Sequence, residues 1–127
     1  MATSNVNRTE LVRHLVLTAI SDDYENLEMI HQLVAKRSSR CGLSISISEI
    51  IRALGNLIEA GFASPYQLSG TAPPQVMEGR LSPGQFEDFY TYFLTTQKGM
   101  ELLRSDRSSW PFDEQDLLKE DWSPPEE

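Results

Sequence analysis

Cysteine is nearly absent from this chain: Cys41 is the only one in 127 residues. A single thiol cannot close an internal disulfide, so the fold must rest on apolar burial, and a reducing, cytoplasmic setting is expected. Histidine is almost as scarce. His14, His31 and Cys41 are separated by seventeen and ten residues, which matches no zinc spacing, so no metal or cofactor is expected. His14 and His31 are each expected at a boundary between core and solvent. No apolar run approaches the roughly 20 residues that span a bilayer. The opening MATSNVNRTE is polar and lacks the apolar stretch of a secretory signal. The catalytic patterns are missing too. There is no Ser–His–Asp logic, no glycine-rich phosphate loop and no cysteine beside a histidine, so nothing argues for an enzyme. Asp22 and Asp23 are adjacent in a turn, which suits capping of the next helix better than paired acid–base chemistry.

Excess positive charge is also lacking. The net charge is −8, and it is uneven: residues 105–127 hold eight acidic and two basic side chains, residues 1–104 eleven and nine. The body is therefore near neutral and the tail strongly acidic. Such a body exerts no general attraction on phosphate backbones, so any contact with nucleic acid must come from a local patch.

What is present is enough for one folded domain over 1–104, followed by an acidic segment over 105–127. Paired apolar positions at 11–12, 15–16 and 19–20 predict a helix over 10–20. Leu27, Ile30, Leu33 and Val34 predict a second over 25–37, stopped by SSRCG with Gly42. The stretch LSISISEIIRALGNLIEAGF then changes period. Its first five residues alternate as a strand does, whereas 50, 54, 57 and 58 recur as on a helix face. Ser46 and Glu49 fit a capping box, with Ile45 and Ile50 at the positions of a hydrophobic staple. Ser46 is thus the expected N-cap, Ser48 its rival, and Gly61 the left-handed residue after the helix. Gly55 inside the helix suggests a close helix contact. FASPYQLS reads as a strand, with Pro65 marking an edge or a bulge. Residues 70–85 are rich in glycine and proline and read as loop, with one helical turn after Ser82–Pro83. FYTYFLT reads as a strand ending near Thr95, and TTQKGMELLRS as a short helix capped by Thr95 or Thr96. Phe86, Phe89, Tyr90, Tyr92 and Phe93 are expected to pack the core rather than to line an effector pocket.

The tail carries Trp110, Phe112, Leu117, Leu118 and Trp122 among its acids, too much apolar area to leave wet. FDEQDLLKED is expected to form a helical turn or two capped near Asp113, docking on its own domain or on a second subunit. Residues 123–127 are expected to be mobile.

The order of three helices, strand, long loop, strand and helix resembles a winged helix-turn-helix, a mainly α fold with a small β-hairpin. Its local words resemble the PadR-like and MarR-like regulators. ALGNLIEAGFAS is similar to their third-helix ending, YFLTTQKGMELL to their second wing strand and following helix, and YENLEMIHQLVAKR to the PadR-like second helix. The resemblance covers residues 8–104. It implies that 46–60 is a recognition helix exposing Ser48, Glu49, Arg52 and Asn56, with Arg52 suited to guanine and Asn56 to adenine. It further implies phosphate contacts from Lys36, Arg37 and Arg40, a wing tip at Arg80, and a homodimer held by terminal segments. For the three cations, stabilisation of the helix C-terminus is the competing reading. Two functions of different class follow. One is a dimeric DNA-binding transcription regulator, favoured by the basic cluster at 36–40. The other is an acidic module that binds a protein partner and no DNA, favoured by the tail and by a wing with little positive charge.

Overall fold

The computed structural model describes residues 7–68, 70, 72–78, 80–105, 110–113, 115–120 and 122. The expectation for 123–127 lies outside them. Helix α1 (Arg8–Ala19) begins two residues earlier than the expected start at residue 10, because the Asn7 side chain accepts from the N–H groups of Thr9 and Glu10. The second helix starts later than expected and ends later. Glu25–Asn26 form a short strand, β1, and α2 runs Leu27–Arg40. Its cap is Asn26, whose side chain accepts from the Met29 N–H, and not Asp22 or Asp23. The Asp23 carboxylate takes only the neighbouring Tyr24 N–H. Two residues of strand are too few to show a period, which is why β1 was hidden within a helical pattern.

Helix α3 (Ile47–Glu59) carries the capping box on Ser46 and Glu49. Ser46 Oγ accepts from the Glu49 N–H at 3.2 Å, and Glu49 Oε2 accepts from the Ser46 N–H at 2.8 Å. Ile45 and Ile50 are both buried, as a staple requires. At the other end Gly61 has φ +84°, the Gly61 N–H reaches the Ile58 carbonyl, and the Phe62 N–H reaches that of Leu57. This pair of bonds is a Schellman ending, and it turns the chain directly into β2 (Ala63–Gln67). Gly55 makes no close helix contact. A methyl there would lie 3.9 Å from Phe86 Cζ, an ordinary distance.

After β2 come β3 (Gln75–Val76), α4 (Pro83–Glu87), β4 (Thr91–Thr95) and α5 (Gln97–Ser105). Four described strands make one antiparallel sheet in the order β1-β4-β2-β3, wider than the two-stranded hairpin expected. Pro65 is therefore not on an edge strand. It pairs with Phe93 in β4, and on its other side β3 begins to pair only at Tyr66, with one further bond from the Met77 N–H to the Pro65 carbonyl. The missing proline N–H falls where the β3 ladder stops.

The core joins the three long helices to one face of the sheet. Leu11, Leu15, Val16, Leu17 and Ile20 of α1 and its end meet Ile30, Val34, Ile50, Leu54, Leu57 and Phe93, all buried. Phe86 stacks on Phe93 with centroids 6.0 Å apart. Phe89 and Tyr90, by contrast, are exposed, in the turn before β4. Buried Thr95 ties β4 to α1: its hydroxyl donates to the Leu17 carbonyl at 2.9 Å and its N–H to that of Ile20. His14 lies inside the core rather than at its boundary, at 5% exposure. No described helix is long and apolar enough to cross a membrane.

Candidate nucleic-acid interface

One face of α3 is committed to the core through Ile50, Ala53, Leu54 and Leu57. The helical period leaves Ser48, Arg52 and Asn56 outward, and all three are exposed. Arg52 and Asn56 line a polar concavity of about 380 Å³, closed on its other side by Asn7, Arg8, Thr9 and Val12 from the start of α1. The capped N-terminus of α1 thus faces the outward side of α3.

Arg8 builds the wall of this concavity. Its Nε lies 2.7 Å from Glu49 Oε1, and its guanidinium also donates to the Ser44 carbonyl at 2.8 Å. The Arg8 hydrogen bond, helped by the Ser46 backbone, outweighs burial and holds the Glu49 carboxyl at about 2. Glu49, expected to be an outward group, is therefore committed to a structural pair. Arg52 makes no ion pair among the described residues, so its guanidinium is available to a ligand. Neither Asn7 nor Arg8 was singled out from sequence. Their approach to Glu49 and Arg52 crosses about forty residues of chain, and no local pattern records it.

The other cations are placed apart from this concavity. Arg80 sits in the segment before α4, where it donates to Glu59 Oε1 at 2.7 Å beside a second concavity of about 490 Å³. The floor of that one is apolar, formed by Ile51, Ile58, Leu81 and Phe86, and Asn56 lines both. Lys36, Arg37 and Arg40 all belong to α2, Arg40 being its last residue. Lys36 is exposed and unpaired among the described residues.

Arg37 and Arg40 are contacted by the tail; Arg37 is half-buried and Arg40 stays exposed. Trp110 and Phe112 are buried, at 7% and 2% exposure, in the same cluster as the body of the protein. The Arg37 guanidinium lies 5.9 Å from the Trp110 ring centroid, and that of Arg40 lies 4.3 Å from the Phe112 ring. Arg40 also donates to the Asp116 carboxylate at 3.3 Å and to its backbone carbonyl. The tail is not helical here. The Asp113 carboxylate accepts from the N–H groups of Gln115 and Leu117, which draws the chain into a loop closed by a bridge between Phe112 and Leu118. Aspartate bonding to its own following backbone competes with helix formation, and here it prevails. Leu117 and Leu118 remain exposed. Trp122 is half-buried, its indole N–H without a partner among the described residues.

Burial raises the Cys41 thiol above its ordinary range, against an opposing pull from Arg40, so it stays protonated at neutral pH. Among the described residues no three His, Cys, Asp or Glu side chains come together as a metal site would need. Comparison with protein-family models, with curated proteins and with solved structures finds no match.

Proposed function

We propose that this chain is a winged-helix DNA-binding regulator that acts as a dimer, with α3 as its recognition helix and the segment between β2 and β4 as its wing. The observation that carries the reading is the outward face of α3. It presents an arginine with no acidic partner among the described residues, an amide and a hydroxyl in one row, on a helix whose opposite face is fixed in the core. Three helices followed by antiparallel β2 and β4 support the same reading, because that arrangement leaves one helix free to enter a groove. In this role Arg52 donates two hydrogen bonds to a guanine edge and Asn56 pairs with adenine, while Lys36 contacts phosphate.

The reading is tested by selecting binders from a random duplex library at low salt. One sequence class should be enriched. Arg52→Ala should weaken binding by about 1–3 kcal/mol and relax preference at a single position. Lys36→Ala should weaken all sequences alike and lower the salt slope by about one. No enrichment at low salt would overturn the reading.

A second reading, an acidic module that binds a protein partner, is favoured by a specific observation. Arg40 and Arg80 already face Asp116 and Glu59, which leaves fewer cations for DNA than the sequence offers.

A further inference from the structure

We propose that the C-terminal residues 110–113 and 115–118 are a built-in competitor for polyanions, contacting in cis the cationic face at the end of α2 that phosphates would otherwise take. The proposal rests on the DNA-binding reading above.

Arg40 shows the competition most directly. A guanidinium offers two things to a ligand, a flat face for stacking and an edge of N–H donors. The tail takes both. Phe112 lies under the face at 4.3 Å, while Asp116 takes the edge with its carboxylate and its backbone carbonyl. Two oxygens presented to one guanidinium edge reproduce what a phosphate offers. One helical turn earlier on α2, Trp110 lies beneath the Arg37 guanidinium. The tail thus engages two candidate phosphate contacts of α2 at once, Arg37 half-buried and Arg40 still exposed beside it.

The loop is shaped for this hold. Asp116 has a left-handed backbone, φ +62°, which turns its carbonyl and its side chain toward the same arginine. Asp113 and the bridge between Phe112 and Leu118 fix that turn, and Trp110 and Phe112 anchor it in the core cluster. Outside these anchors the segment is exposed: Asp113, Gln115, Asp116, Leu117 and Leu118 all face solvent. Lys36, on the same turn of α2 and unpaired among the described residues, is exposed to a first encounter with a polyanion. The tail's excess of acids would add repulsion between it and any approaching nucleic acid. Binding to phosphate at Arg37 and Arg40 therefore requires the tail to leave, and the apparent affinity is reduced by the fraction of molecules in which it has left.

Trp110 reports the event. The chain has two tryptophans, so full-length protein with Trp122→Phe carries one emitter, buried in the latched state. A labelled mixed-sequence duplex is titrated in low salt, and duplex anisotropy and Trp110 emission are read together. Emission should shift to the red in step with binding. Asp116→Asn, which tolerates the left-handed backbone but removes the charge, should tighten binding, and Phe112→Ala should tighten it further, by roughly tenfold. Far-UV circular dichroism checks that each variant is folded, and Asp116→Asn leaves the core untouched. A wild type that fails to bind beside an opened variant that does bind supports the proposal. Binding that saturates with Trp110 unmoved, and with both variants no tighter than wild type, overturns it and leaves the DNA reading standing. Failure of wild type and both variants to bind at low salt overturns the two together.

Discussion

Ser46 stands between a strand-like approach and a helix, and one hydroxyl decides where the helix begins. It satisfies the Glu49 N–H, and the glutamate returns a bond to the Ser46 N–H. Ser46→Ala should cost about 1 kcal/mol in urea melts, whereas Ser48→Ala, exposed inside the first turn, should stay within a few tenths. The same carboxylate carries the ion pair to Arg8. Its folded value, about 2, lies below the ordinary 4.5, so the pair stabilises the fold above that ordinary value and is lost as pH falls toward 2. Arg8→Ala should destabilise by about 1–2 kcal/mol at neutral pH. The gap between variant and wild type should narrow steadily in melts taken between pH 5 and about 2.

The element that depends most on a close fit is α5. Its start is pinned to the exit of α3. The Thr96 N–H donates to the Phe62 carbonyl and its hydroxyl to that of Gly61, while Lys98 reaches the Ala60 carbonyl at 2.8 Å. Gly99 then passes so close that a Cβ would collide with the Phe62 carbonyl oxygen and lie 2.6 Å from Thr95 Cγ2. Backbone at such a point cannot retreat without breaking the Schellman ending of α3. Gly99→Ala should therefore cost about 3 kcal/mol or more, seen as a lowered urea midpoint with far-UV signal retained in the folded baseline. Gly55→Ala, within α3 beside Phe86, should instead be neutral or mildly stabilising, because its added methyl meets only an ordinary contact.

At the scale of the whole molecule, the tail changes the case for assembly. Trp110 and Phe112 are covered by their own chain and give no reason for a second subunit. The apolar side chains left in water include Leu117, Leu118, Phe89 and Tyr90. If the proposed dimer forms through the tail, its contact is the leucine pair on the outer side of the loop. Leu117→Ser with Leu118→Ser should then halve the mass measured by light scattering at unchanged circular dichroism. A full-length chain of monomer mass at high concentration would exclude the dimer.

Sequence by itself determined what lies within a few residues of chain. The capping box of α3, its buried face, the turn at Gly61, the strand ending at Thr95 and a threonine cap at 95 or 96, which the structure places at Thr96, were legible because each needs only neighbours one to four positions apart. Ser48, Arg52 and Asn56 could be assigned outward by the same period. Tertiary structure alone decided the rest. β1 exists because Glu25 and Asn26 meet Phe93 and Tyr92, far along the chain, and not through any propensity of their own. Arg8 was drawn to Glu49 across 41 positions and Arg40 to Asp116 across 76. Those two pairings decide which charges are spent inside the protein and which, like Arg52, make no ion pair among the described residues. Local spacing can place a charged side chain on a helix, but its availability depends on what the fold brings against it.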